Sequence, residues 1–176
     1  AARMEKPATH LSGVLAFLNE LKYVRREIPF GESLRSTKKS LYKIDDPFLN
    51  FWFTFIAPDK SRIDLGLISQ VLTDIRRKMP IYTSSVWEEL CRQAVPFLLP
   101  DKNFTPACRW WGRGLDGSAM ELDVVAESVD KKTLLTGEAK WSEKTDLTAE
   151  YELLKRKATN LPFAKGHRII YVLFVR

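Results

Sequence analysis

The sequence has few of the residues that build the common redox, metal and nucleotide sites. It contains two cysteines, Cys91 and Cys108, and two histidines, His10 and His167. Two cysteines form no disulfide framework, and no second Cys or His lies at metal-ligand spacing from them. The phosphate-binding loop G-x-x-x-x-G-K-[ST] and the dinucleotide motif G-x-G-x-x-G are both absent. We therefore expect no thiol-based metal site and no ATP site in this chain.

Long apolar segments are missing as well. The longest apolar stretch, residues 48–57, contains Asn50 and Thr54, and it is far shorter than the roughly 20 residues of a membrane span. The first residues are polar and lead to no apolar segment of the signal-peptide kind. These features predict a cytoplasmic location without membrane contact.

Charged residues are abundant, and the positive ones are in excess. The 176 residues include 28 Lys and Arg against 22 Asp and Glu, a formal charge of +6, and 45% are hydrophobic. This composition is typical of a soluble globular chain with one ordinary domain or two small ones. The positive excess favours a polyanionic partner such as nucleic acid, but only weakly at this size.

The first part of the chain predicts a helix followed by two strands. Apolar residues at helical spacing indicate a helix over 9–22, and alternation indicates strands near 24–30 and 40–45. A basic turn joins the strands, an order typical of the back half of a winged helix, so residues 1–46 are predicted to be a partial winged-helix segment. Packing of this segment against another domain is the alternative to DNA binding. The basic turn supplies three predicted contacts to a nucleic-acid backbone: Arg35, Lys38 and Lys39.

Residues 47–82 are predicted to form a helical linker. Asp46-Pro47 is a typical helix start, with Asp as the cap and Pro at the first helical position. The residues that follow are apolar all round, which predicts a helix buried on all sides. A second helix is expected over 64–78, and Met79-Pro80 is expected to end it.

Residues 83–176 predict a mixed α/β (α+β) domain. A helix from Ser84 or Ser85 to Leu99 comes first, and three strands, a helix and a last strand follow, giving the order α-β-β-β-α-β. Basic residues of the last helix, Lys155 among them, usually form a solvated face, but Lys155 is also a predicted nucleic-acid contact. The later elements are expected near residues 105–113, 119–128, 133–141, 145–160 and 168–175.

Three charged residues interrupt the apolar strands of this second half. Asp123 lies inside the apolar run 120–126, and Glu138 and Lys140 lie two apart on one strand, so their side chains share a face. Adjacent antiparallel strands would bring Asp123 beside them. Charges inside an apolar sheet are costly unless they have a close partner or a chemical purpose.

Two carboxylates in this position suit a hard divalent cation such as Mg²⁺ or Mn²⁺. Asp123, Glu138 and the carbonyl of Ala139 are the candidate oxygen ligands. The cation would activate water and stabilise charge on a phosphate, while Lys140 would orient that water. A simple acid–lysine pair on a solvent-facing strand is the alternative, because short acid-x-Lys matches are common by chance.

An acid-x-Lys strand preceded by an acidic strand resembles the signature of the PD-(D/E)XK nucleases. This resemblance implies a restriction-endonuclease-like core, in which the first helix often supplies another glutamate. Glu88 and Glu89 both lie off the apolar arc of that helix, so helix geometry does not choose between them. The sequence departs from the signature at Leu122, where proline often precedes the aspartate.

Several segments, in the same order, resemble the C-terminal region of a family of archaeal and bacterial AAA-type (STAND-like) ATPases. That region is described as a domain of unknown function and is assigned to the PD-(D/E)XK superfamily. The resemblance implies an upstream ATPase domain outside this chain, and it favours Glu88 as the helix glutamate. The site it implies consists of Glu88, Asp123, Glu138 and Lys140. The matching segments are residues 23–30, 39–53, 87–92, 109–112, 121–126 and 137–141.

Three functional hypotheses follow from these observations. The first is a Mg²⁺- or Mn²⁺-dependent nuclease module that hydrolyses phosphodiester bonds in DNA or RNA. The second is a non-catalytic module that binds nucleic acid or regulates an attached ATPase. The third is a purely structural oligomerisation domain, suggested by the aromatic content of the chain.

Overall fold

The structure, a computed structural model, describes residues 8–35 and 39–176, which divide into two units. The N-terminal unit holds the described parts of Ala1–Glu27 and Thr37–Arg77, and the C-terminal unit those of Ile28–Ser36 and Lys78–Arg176. Each unit contains helices and one β-sheet. The predicted mixed α+β class is therefore confirmed.

The N-terminal unit begins with a helix and an antiparallel strand pair. Helix α1 spans Ala8–Glu20, and strands β1 (Val24–Glu27) and β2 (Leu41–Ile44) pair with Val24 opposite Ile44. The predicted helix is present, starting one residue earlier and ending two residues earlier than expected, and both predicted strands are present with shorter bounds. The winged-helix interpretation itself stays a prediction, and Lys38 lies outside the described residues.

The predicted helix start at Asp46-Pro47 is confirmed. The Leu49 N–H donates to the Asp46 side chain at 2.7 Å, and this bond satisfies one of the N–H groups left unpaired at a helix start. Four short helical segments follow in sequence: α2 (Pro47–Phe51), a π-helical turn (Trp52–Ile56), a 3₁₀ turn (Ala57–Asp59) and α3 (Lys60–Asp64).

The expectation that these aromatic residues are buried on all sides is wrong. Phe55 is 2% exposed, but Phe48 and Phe53 are 68% and 55% exposed. Among the described residues, only one side of the segment is covered. In this chain, a segment that is apolar on all sides is therefore not buried on all sides.

The predicted helix end at Met79-Pro80 is also wrong, because helix α4 runs without interruption from Ile68 to Leu98. Proline removes one backbone donor and bends a helix, but Cys91 and Val95 beyond it are buried and keep the helix packed. The predicted limit between linker and domain, at residues 82 and 83, lies inside this helix. Among the described residues, no helix is long and apolar enough to cross a membrane.

The C-terminal unit is built on a four-stranded mixed sheet with the order β3-β4-β5-β6. The first three strands are antiparallel neighbours, and β6 is parallel to β5. Helix α5 (Leu147–Thr159) lies between β5 and β6 in the chain, as a parallel pair requires a crossover connection. The strands are β3 (Cys108–Arg113), β4 (Ala119–Glu127), β5 (Thr133–Lys140) and β6 (Arg168–Val175).

A helix packs against each face of this sheet. Cys91 and Val95 of α4 pack in one apolar cluster with Val124 and Leu135. The other cluster contains Leu154 of α5 with Leu122, Val125 and Leu134 of the strands. Strand β5, buried on both faces by these helices, carries no exposed residue between Thr133 and Ala139. A charged residue on β5 is therefore held in a mostly apolar environment.

Candidate active site

The backbone pairing of β4 with β5 stops at the point where the predicted site begins. Val124 is paired with Gly137, and no regular pairing continues beyond it toward Asp123. Instead the Ala139 N–H donates to Asp123 Oδ2 at 3.0 Å, so a side chain replaces a backbone acceptor. The carboxylate of Asp123 is thereby fixed beside the end of β5.

Glu138 is the most buried charged residue of this region, with 3% of its surface exposed. Its Oε1 accepts from Lys157 Nζ at 2.6 Å, and its Oε2 lies 3.6 Å from Lys140 Nζ. Lys140 Nζ also lies 3.3 Å from Glu150 of α5. The predicted same-face relation of Glu138 and Lys140 on β5 is thus present in the structure.

The electrostatic environment disfavours the charged form of Glu138. Burial raises the pKa of its carboxyl to about 7, and the nearby charge of Asp123 acts in the same direction. Lys157 and Lys140 oppose this shift without cancelling it. Burial lowers the pKa of Lys140, but the attraction of Glu138 and Glu150 outweighs burial, so the net shift of that pKa is upward.

Helix α4 contributes the two adjacent glutamates in different ways. Glu88 lines the cleft that contains Asp123 and Glu138. Glu89 instead accepts from Arg92 at 3.1 Å, and Arg92, which is 5% exposed, also donates to the Asp123 carbonyl at 2.8 Å. The structure therefore brings Glu88 to the predicted site residues, and it assigns Glu89 to an ion pair that holds the backbone of Asp123.

An open cleft of about 540 Å³ gives solvent access to these residues, and all of its lining belongs to the C-terminal unit. Its walls are polar and carry both signs of charge, which suits a charged ligand better than an apolar one. Further basic and hydroxyl groups come from the segment between β5 and α5. The lining residues are Ser84, Glu88, Glu121, Asp123, Glu138, Ala139, Lys140, Trp141, Ser142, Lys144, Thr145, Asp146, Glu150 and Lys157.

The predicted nucleic-acid contacts are not gathered at this cleft. Arg35 is exposed on the segment 28–35, and Lys39 belongs to the N-terminal unit. Lys155 bonds Glu152 at 3.0 Å and lies over the ring of Tyr151. None of these three lines the cleft, and Lys38 is outside the described part of the chain.

Sequence reasoning missed Lys157, Glu150 and Arg92. A signal for the first two exists, because Glu150, Leu154 and Lys157 are spaced as i, i+4 and i+7 and so share the helix face that carries the buried Leu154. No comparable signal marks Arg92, since its role depends on a backbone carbonyl of a strand distant in the sequence.

Asp123, Glu138 and Ala139 line the same cleft, and their carboxylate and carbonyl oxygens are of the kind that could hold a hard cation. Within residues 8–35 and 39–176, no three Asp, Glu, His or Cys side chains meet as a metal-binding group. The donor chemistry still fits Mg²⁺, which keeps several waters and is often held by one or two carboxylates together with a substrate phosphate.

Comparisons with known proteins give a family but no activity. The chain is 32% identical over 155 residues to an uncharacterized protein of Methanocaldococcus jannaschii, covering 84% of this chain and 33% of that protein. The chain thus spans about a third of the length of this curated relative. No solved structure matches. Residues 52–158 match the DUF234 family, described as archaeal and bacterial proteins of unknown function, and the chain therefore belongs to this family.

Proposed function

We propose that the C-terminal unit is a metal-dependent nuclease module of the PD-(D/E)XK type, acting on phosphodiester bonds of DNA or RNA. The observation that carries this proposal is the placement of Glu138 and Lys140 on β5 beside Asp123, all three lining an open, charged cleft. A buried carboxylate with a raised pKa beside a specific charge partner is a frequent sign of a functional site.

The arrangement of elements supports the same proposal. The order α-β-β-β-α-β is the order expected for a restriction-endonuclease-like core. In the sheet, the first three strands are antiparallel neighbours and the last strand is parallel to the third. The strand that carries Asp123 and the acid-x-Lys strand are neighbours in the sheet. Their proximity therefore follows from the topology and does not depend on one loop conformation.

The four predicted site residues each have a role in this proposal. Asp123, Glu138 and the Ala139 carbonyl would hold Mg²⁺ or Mn²⁺, which supplies Lewis-acid activation of water and charge neutralisation at the phosphate. Lys140 orients the attacking water and donates to the phosphate. Glu88 would supply a third carboxylate at the wall of the cleft.

The proposal is tested by incubating the protein with end-labelled single- and double-stranded DNA and RNA in Mg²⁺, Mn²⁺ or EDTA. Cleavage is expected with either metal and not with EDTA, and Asp123→Asn should lower the rate by about 100-fold or more because a ligand is lost. Asp101→Asn is the matched control, since Asp101 is exposed and outside the cleft. Equal cleavage by wild type and Asp123→Asn would exclude this site.

One contact favours a second candidate, a non-catalytic module that binds nucleic acid or regulates an attached ATPase. Lys157 Nζ donates to Glu138 Oε1 at 2.6 Å and neutralises its charge. A site that binds a ligand without catalysis could contain the same ion pair. This candidate predicts no cleavage with any metal, together with nucleic-acid binding that survives Glu138→Ala. The attached ATPase, implied by the family resemblance, and any nucleic-acid contact of Arg35, Lys38, Lys39 or Lys155 remain predictions.

A further inference from the structure

The ammonium group of Lys157 lies on a carboxylate oxygen that the proposed metal would need. Its Nζ atom is 2.6 Å from Glu138 Oε1, and the side chains of Lys157 and Glu138 are 22% and 4% exposed. Two cations close to one carboxylate repel each other strongly where solvent screening is weak. A divalent cation at Glu138 must therefore displace the ammonium of Lys157 or bind against its charge.

The two lysines at Glu138 differ in whether they keep another carboxylate partner after such a displacement. Lys140 keeps a second carboxylate, Glu150, at 3.3 Å. For Lys157, no other carboxylate lies within ion-pair distance among the residues that the structure describes. Once its only carboxylate partner has been taken, its ammonium needs a new anion in a cleft already partly shielded from water.

A phosphodiester is the anion that the cleft would bring to this position. Lys157 lines the same cleft as Lys140 and Lys144, and the residue lies on α5, whose spacing keeps it on the face toward Glu138. A phosphate oxygen is a strong acceptor for a charged donor. The displaced ammonium and the incoming phosphate would therefore neutralise each other.

We propose that Lys157 makes metal binding and phosphodiester binding depend on each other. Without a phosphodiester, the ammonium of Lys157 stays paired with the carboxylate of Glu138 and weakens metal binding. With one bound, Lys157 moves to the phosphate and leaves the carboxylate to the metal. This inference rests on the proposed function, because it takes Asp123 and Glu138 as the metal ligands.

Binding linkage makes the effect measurable from either side. If a phosphodiester strengthens metal binding by some factor, the metal strengthens phosphodiester binding by the same factor. Lys157→Met removes the competing ammonium and the phosphate partner together. We expect the variant to bind the metal more tightly than wild type without phosphodiester, and to lose most of the strengthening that phosphodiester gives.

The experiment measures free Mn²⁺ by its electron paramagnetic resonance signal during titrations with and without dimethyl phosphate, a phosphodiester monoanion. It is run at about pH 8, above the pKa of about 7 for Glu138, so that this carboxylate is largely ionised. In wild type, dimethyl phosphate should strengthen Mn²⁺ binding by about tenfold. In Lys157→Met, Mn²⁺ alone should bind about tenfold more tightly, and the effect of dimethyl phosphate should fall by about fivefold.

Three further variants make each outcome decisive. Lys157→Arg keeps the charge and should keep the dependence on dimethyl phosphate, and Arg156→Met removes an exposed neighbouring charge and should behave as wild type. Suppose that Asp123→Asn abolishes Mn²⁺ binding, while Lys157→Met changes neither the affinity for Mn²⁺ alone nor the effect of dimethyl phosphate on it. The inference is then overturned and the proposed function stands. If Asp123→Asn binds Mn²⁺ as wild type does, both are overturned. Thermal unfolding of every variant verifies that it is folded.

Discussion

At the scale of single residues, the burial of Glu138 makes the stability of the protein depend on pH. Its pKa of about 7 in the folded state lies above the ordinary value of 4.5, so between these values the folded state holds a proton that the unfolded state has released. The proton that the folded state retains on Glu138 adds to the free energy of unfolding, and this contribution is fully present below about pH 4.5. It is lost as the pH rises through about 7.

We therefore expect Glu138→Gln to remove this part of the pH dependence. Relative to the variant, wild type should lose about 2–3 kcal/mol of unfolding free energy between pH 4.5 and 8. Urea denaturation across that range measures the difference. Glu152→Gln is the control, because its carboxylate is exposed on α5, and its profile should follow wild type. Parallel profiles for wild type and Glu138→Gln would contradict the environment described for this carboxyl.

Arg92 is the residue that fixes the backbone at Asp123. Arg92→Met should lower the free energy of unfolding by about 3 kcal/mol, because the Asp123 carbonyl loses a buried charged donor and Glu89 loses one of its partners. Arg77→Met is the matched control, since the Arg77 side chain is 75% exposed in its ion pair with Asp74 and should cost less than about 0.5 kcal/mol. Equal losses in urea denaturation would show that the Arg92 contact contributes little.

The sequence predicted the placement of some of these residues and not of others, for a definite physical reason. Strand periodicity places Glu138 and Lys140 on one face, and this relation requires nothing beyond the local strand. The contacts of Lys157 and Arg92 depend on how helices pack against the sheet, which local periodicity does not report. The chemical purpose of the site stays a prediction, whereas its charged pairs are visible in the structure.

At the scale of elements, the strands of the C-terminal unit were predicted within three residues of their bounds, but the long helix was not. Apolar strands between turn residues give a clear local signal. Pro80 gives an equally clear signal for a helix end, and here it is overruled because α4 continues to the buried residues Cys91 and Val95. Tertiary packing therefore decides helix length where a local residue preference opposes it.

The start of α5 gives a prediction at this scale, because the helix carries Glu150 and Lys157 into the cleft. Asp146 accepts from the N–H groups of Thr148 and Ala149 at 3.0 and 3.1 Å. Asp146→Ala should lower the free energy of unfolding by about 1 kcal/mol, whereas Asp146→Asn keeps a capping side chain and should stay within a few tenths of wild type. Chemical denaturation of the two variants distinguishes loss of the cap from loss of charge, since equal losses would implicate the charge.

At the scale of the whole molecule, the C-terminal unit is assembled from two separate stretches of chain. The short segment 28–35 belongs to it, although residues on either side belong to the N-terminal unit. The Phe30 N–H donates to the Arg109 carbonyl at 3.0 Å, and its ring lies 5.2 Å from that of Phe163. The predicted domains are contiguous ranges of the chain, because local sequence patterns do not show that a segment near the start packs with the C-terminal unit.

This arrangement predicts that an N-terminal residue stabilises a C-terminal sheet. Phe30→Ala should lower the free energy of opening, measured at the backbone amides of β4 and β5, by about 2 kcal/mol. The loss should be smaller than for a fully buried phenylalanine, because Phe30 is half-buried. Native-state hydrogen exchange at Val125 and Leu135 measures that energy directly. Leu34→Ala, in the same segment but 57% exposed, should change it by less than about 0.5 kcal/mol. If both variants leave β4 and β5 unchanged, the segment does not stabilise the sheet, and the ring contact between Phe30 and Phe163 is energetically unimportant.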